Sequence, residues 1–185
     1  KGVNELVPAE LTVVPEEAYR IRTEVDRTFV SAGEEVKVTC IVEDRFGNPT
    51  TARDIAVRAQ PSRGVQISDR VIATELAGDY EVECTAFGLA REPQTITVVP
   101  GEPTRAAAEL SEYGVMAGTR VEVTCHLSDQ FGNEVQADTD YTIASMVTSS
   151  DAQGFTPETS GQYWVPCHAP AFSVSSEAVL LTVYP

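Results

Sequence analysis

Alternation at period two dominates the chain. Val36, Val38, Cys40 and Val42 share one face, while Glu35, Lys37, Thr39 and Glu43 share the other, with Ile41 the exception. A second stretch repeats this: Val121, Val123, Cys125 and Leu127 point one way, and Arg120, Glu122, Thr124, His126 and Ser128 the other. Later, Tyr80, Val82 and Cys84 alternate with Asp79, Glu81 and Glu83, and Tyr163, Val165 and Cys167 alternate with Trp164, Pro166 and His168. Successive side chains of an extended backbone point to opposite faces, so each stretch predicts a half-buried strand. Further strands are predicted at 18–25, 53–60, 70–74 and 94–99, and near 103–111, 140–147, 153–157 and 178–184. Turn formers separate them, among them Phe46-Gly-Asn-Pro49, Ser62-Arg-Gly64, Ala77-Gly78, Phe131-Gly-Asn133 and Gln153-Gly154. No segment carries a convincing 3.6-residue period, so the predicted class is all-β.

The pattern occurs twice, at a shift of 85 residues. Between 33–48 and 118–133 the Gly, both Val, Thr, Cys, Asp, Phe, Gly and Asn coincide. Gly78-Asp-Tyr80-Glu-Val-Glu-Cys84 matches Gly161-Gln-Tyr163-Trp-Val-Pro-Cys167. The end of the unit occurs three times, as Leu11-Thr-Val-Val-Pro15, Ile96-Thr-Val-Val-Pro100 and Leu181-Thr-Val-Tyr-Pro185. The expected division is therefore a closing strand of a preceding repeat, or an N-terminal extension, at 1–15, then one domain at 16–100 and another at 101–185. On this reading the chain is an excerpt of a longer array.

Each unit holds one early and one late cysteine, and none has the short spacing of a zinc or redox site. Of three possible pairings the simplest is Cys40–Cys84 and Cys125–Cys167, one bridge inside each unit. In the chain-entropy picture, closing such a loop stabilises by roughly 4 kcal/mol. Disulfides persist in oxidising compartments, so the expected location is extracellular or at the cell surface. About seven short strands per unit, with inward cysteines on an early and a late strand, describe two tandem immunoglobulin-like β-sandwiches with one intradomain disulfide each.

The unit resembles the bacterial immunoglobulin-like repeats of invasin- and intimin-type surface proteins. The carriers are Ala32-Gly33 and Ala117-Gly118 before the second strand, then Asp44-x-Phe-Gly-Asn48 and Asp129-x-Phe-Gly-Asn133 after it. Gly78–Tyr80 and Gly161–Tyr163 open the sixth strand, and the Thr-Val-Val-Pro pattern closes the seventh. The chain departs from antibody domains: 53–60 and 140–147 contain no Trp, and the Tyr precedes each second Cys by four residues. The resemblance implies a structural and adhesive role on a surface or secreted protein.

Composition narrows the function classes. Apolar residues make up 42% of the chain, enough for a folded core, and no run reaches the roughly 18 apolar residues of a membrane helix. The formal charge is −15. It is spread along the whole chain: residues 16–103 hold 10 Lys+Arg against 16 Asp+Glu, and residues 104–185 hold 2 against 10. So acidic a surface repels nucleic acid and anionic lipid, and neither is expected as a partner. There is no nucleophile motif, phosphate loop or histidine cluster, so no catalytic residue is expected.

Several residues are candidate sites. In Asp-x-Phe-Gly-Asn, Asp44 with Asn48 or Asp129 with Asn133 offers two or three oxygens, short of calcium's six to eight. The favoured reading is a turn in which the Asp accepts backbone N–H groups and the Phe plugs the core edge. Linker acids Glu16, Glu17 and Glu102 give thin support for a junction calcium site. His126 and His168 each follow a cysteine and are expected on opposite outer surfaces, so no shared metal or other cofactor is expected. Trp164 takes an outward position and is the candidate partner contact.

The expected function is non-catalytic: a rigid spacer or stalk segment of an adhesin-like protein, with adjacent repeats as its partners. Pro100-Gly-Glu-Pro103 is short and stiff, which fits that role. The alternatives are a module binding a protein or glycan through the second domain, at 134–160 beside Trp164, or accessory domains of a secreted enzyme.

Overall fold

The computed structural model describes residues 12, 14–143 and 147–185. It is all-β, with one short 3₁₀ turn at Pro170–Phe172. The chain up to residue 100 carries β1 (Arg20–Val25), β2 (Phe29–Ser31), β3 (Glu35–Glu43), β4 (Ala56–Gln60), β5 (Val65–Ser68), β6 (Val71–Thr74), β7 (Gly78–Thr85), β8 (Ala90–Glu92) and β9 (Gln94–Val99). Beyond it lie β10 (Arg105–Leu110), β11 (Gly114–Met116), β12 (Val121–Ser128), β13 (Glu134–Val135), β14 (Asp140–Tyr141), β15 (Val147–Asp151), β16 (Gly154–Pro157), β17 (Gly161–Val165), β18 (Cys167–Ala169), β19 (Val174–Ser175) and β20 (Val179–Tyr184).

The long alternating stretches form the central strands, and the extra strands are pieces of two to five residues at their flanks. The strand expected at 140–147 is confined to Asp140–Tyr141 before residues 144–146, which lie outside the described residues. Of the closing strand expected at 11–15, residues 11 and 13 lie outside the described residues, and the described residues 12, 14 and 15 are not in a strand.

Two sheets run through β1–β9. One has the order β5-β6-β3-β1-β8 and the other β2-β9-β7-β4. In β3 the alternation buries Val36, Val38 and Val42, and β7 buries Tyr80, Val82 and Cys84. Ile21, Ile72 and Ile96 complete this core with almost no exposure. Cys40 on β3 joins Cys84 on β7, tying one sheet to the other with Cα atoms 5.7 Å apart. A buried hydroxyl crosses the same core, where Thr23 Oγ1 accepts the Cys84 N–H at 2.8 Å.

The later strands form three sheets: β10-β12-β16-β15 with β13 on β12, then β11-β20-β17, and β14-β18-β19. Their core gathers Leu110, Val121, Phe155, Val165, Leu181 and Val183 around the bridge from Cys125 to Cys167. Phe155 is the largest fully buried side chain. The late alternating stretch is cut in two at Pro166, which has no N–H to give to a ladder. The segment before it, β17, pairs with β20, and the segment after it, β18, pairs with β14 and β19. The inward pattern survives the cut, because Tyr163, Val165 and Cys167 are all buried.

Contacts divide the chain into two compact units. One comprises the described residues up to Thr28 with Val36–Ile72 and Tyr80–Ile96. The other comprises Phe29–Glu35, Ala73–Asp79 and Thr97–Pro185.

Candidate functional site

The repeated Asp-x-Phe-Gly-Asn segments are the most organised polar features. Each follows a central strand and reverses the chain with Gly47 or Gly132 at φ near +85° or +90°, a backbone conformation that glycine adopts without strain. In the first, Asp44 Oδ1 accepts the N–H groups of Phe46 and Asn48 at 2.8 and 2.9 Å. Its Oδ2 accepts the Asn48 side-chain amide at 2.9 Å and the Glu16 N–H at 3.0 Å. In the second, Asp129 Oδ1 accepts Phe131 and Asn133 N–H groups, both at 2.9 Å. Its Oδ2 accepts the Asn133 amide at 2.8 Å and the Gly101 N–H at 2.9 Å.

A carboxylate has about four lone-pair positions, and in both turns all four are taken. Neither Asp therefore has an oxygen lone pair left for a cation. Both aspartates are buried, and burial works to raise their pKa. The Asn amide and the three backbone N–H groups outweigh it and hold each carboxyl below the ordinary carboxylate range. Glu16, weighed as a junction calcium ligand, turns its carboxylate to Arg45 at 2.9 Å.

The phenylalanines correct the sequence reading, in which they plug the core edge. Phe46 is 68% exposed, with the Arg45 guanidinium 4.8 Å from its ring centroid. Phe131 is half-buried and rests against Gly33, where an added Cβ would come within 2.7 Å of the ring. Asn133 goes further than its turn. Its amide donates to Glu75 O at 2.7 Å and its Oδ1 accepts the Ala77 N–H at 2.9 Å. Phe131, Asn133, Gly33 and 75–77 all belong to the second compact unit. Sequence reasoning missed this cluster, although the repeated Gly at 33 and 118 was a visible signal.

The histidines have no partner in common. His126 Nε2 lies 3.1 Å from Glu109, while His168 lies between Thr142 and Ser175 at 3.0 and 2.9 Å. Trp164 is 55% exposed on β17, opposite Leu180 of β20. In the divergent stretch 134–160, the single hydroxyl proton of Tyr141 is shared between the carbonyls of Asp151 and Gly154, at 2.7 and 2.5 Å, and Arg120 pairs with Asp151 at 2.9 Å. A hollow lined by Asp140, Tyr141, Ile143, Ser150 and Asp151 lies beside it; residues 144–146 of the same stretch fall outside the described residues. Among the described residues no three of His, Cys, Asp and Glu gather as a metal site.

No protein-family model matches the chain, and no curated protein matches it in sequence. Solved structures do match its architecture. A broadly conserved Escherichia coli adhesin, FdeC, superposes with a TM-score of 0.53 at 19% identity, over 95% of this chain and 68% of that one. Invasin, described as a bacterial integrin-binding protein, superposes with a TM-score of 0.54 at 12% identity, over 89% of this chain and 40% of that one. The chain has the immunoglobulin-like fold of bacterial adhesin domains. It spans well under half of the invasin chain. The two bridges fit an oxidising, extracellular or cell-surface setting.

Proposed function

We propose that the chain is a non-catalytic spacer segment of a bacterial surface or secreted adhesin-like protein, built of immunoglobulin-like repeats at 16–100 and 101–185. The observation that carries this reading is the pinning of the chain at the start of each repeat. Glu16 N–H is held by Asp44, and Gly101 N–H, 85 residues later, is held by Asp129 in the same geometry. A backbone group held in a buried turn loses the freedom of a flexible link, and the neighbouring Pro100 and Pro103 restrict φ further. One bridge per repeat adds resistance to unfolding. The adhesin fold fits this role, and so do the fully committed turn carboxylates.

The test is backbone ¹⁵N relaxation at residues 101 and 102. A spacer expects order parameters near those of β10, about 0.85, whereas a flexible link falls below about 0.6. The second reading, recognition through the second repeat, rests on the exposed Trp164. Saturable binding to a host protein or glycan that Trp164→Ala abolishes would establish it in place of the spacer.

A further inference from the structure

The two Asp-x-Phe-Gly-Asn turns are built alike, yet among the described residues only the second meets a partner surface. In the second compact unit, Phe131 covers Gly33, and Asn133 is bonded to the backbone at Glu75 and Ala77. The receiving surface is thus a glycine with an adjoining backbone edge. Gly33 has φ +85° and donates its N–H to Thr74 O at 2.8 Å. Only a residue without a Cβ lets the ring approach this closely.

The repeat supplies the same surface a second time. Gly118 has φ +84° and donates its N–H to Pro157 O at 2.7 Å. Ala117 donates to Tyr184 O at 2.9 Å as Ala32 donates to Val99 O at 2.8 Å. Here the surface is open: among the described residues no atom lies within 4 Å of a Cβ placed on Gly118, and residues 158–160 are exposed where 76 and 77 are half-buried. The matching projection is open as well. Phe46 is 68% exposed on a turn whose Asp44–Asn48 bonds equal those of Asp129–Asn133 to within about a tenth of an ångström.

We propose that Phe46 and Asn48 form a docking surface for another unit of this same repeat, which seats Phe46 on a glycine placed as Gly118 is and meets Asn48 with backbone placed as residues 158–160 are. Projection and receiving surface differ, so the contact is head-to-tail. An unrelated partner would have to reproduce a left-handed glycine beside an exposed backbone edge, and the repeat already carries both. The inference rests on the serial-repeat reading and gives it a specific joint.

The test joins Pro185 of one full chain directly to Glu16 of a second copy, which restores the register of Pro100-Gly101. Amide hydrogen exchange is then read at Ser160 of the first copy, the counterpart of Ala77. The expected result is exchange about tenfold slower than in the single chain, with Asn48→Ala or Phe46→Ala in the second copy removing the protection. Both side chains lie in a turn outside the core, so these variants are expected to fold. An internal reference is Ala77 itself, whose exchange should quicken in Asn133→Ala. An unchanged Ser160 rate overturns the docking surface, and so does an Ala77 rate indifferent to Asn133→Ala. Mobile amides at 101 and 102 overturn the spacer reading instead, so the two failures are distinguishable.

Discussion

Asp129 shows how much one side chain can organise. Four donors converge on its two oxygens, from the turn, from Asn133 and from the start of the repeat at Gly101. Asp129→Asn keeps the size but turns an NH₂ group toward two of those donors. The expected loss is about 1–3 kcal/mol in urea unfolding at neutral pH, the usual cost of leaving buried donors unpaired. The pH dependence has a definite sign. Folding holds this carboxyl below its unfolded value of about 3.9, so its contribution is complete above that pH and is lost as pH falls through the folded value. Urea midpoints measured from pH 6 to pH 2 should therefore fall on the acid side, and fall less steeply in Asp129→Asn.

The glycines at 33 and 118 separate two effects at the same scale. Alanine at either position must adopt a positive φ, at a cost of about 1 kcal/mol. At Gly33 it also meets the Phe131 ring, whereas at Gly118 the space is open. Gly33→Ala is thus expected to destabilise more than Gly118→Ala, by about 1–3 kcal/mol, and Phe131→Ala should remove most of that difference.

At the scale of elements, pairing is decided by what each strand lets approach. Gln153-Gly154 reads both as a turn and as the start of the strand expected at 153–157: Gln153 lies in the turn, and Gly154 opens β16 against β12. A Cβ there would lie 2.3 Å from Val121 O and 3.0 Å from the Glu122 Cα, both backbone atoms. The glycine is needed for close approach of two chains. Gly154→Ala should part β12 from β16 beside the fully buried Phe155, lowering thermal stability by about 1–3 kcal/mol. Calorimetry would check this, and an unchanged midpoint would mean that the strands shift apart without loss.

For the molecule as a whole, the bridges carry the stability of small cores. They close loops of 44 and 42 residues and join different sheets. Loop-closure entropy varies only with the logarithm of length, so the two should contribute almost equally. Replacing either pair by alanine should cost about 2–5 kcal/mol, read as a drop in the denaturant midpoint of the affected part.

The alternation from Val36 to Val42 and from Val121 to Leu127 was enough to define the central strands and their buried faces. A buried face repels its polar neighbours at every second residue, and that requirement is written locally. The 85-residue repeat likewise determined which cysteines correspond and where the turns recur. The shortest flanking strands, β2, β8, β13 and β19 among them, were invisible, because two or three residues cannot display a period. Pro166 was legible as a disturbance, but its effect, handing the chain from β20 to β14, depends on strands distant in sequence. The fate of the two phenylalanines was likewise settled only by tertiary structure. Phe46 and Phe131 sit in nearly identical local sequence, yet one is exposed and the other covers Gly33. What distinguishes them is the backbone at 33 and 75–77, which no local pattern around either turn encodes. Sequence determined the turn, and the neighbour brought by folding decided what the turn holds.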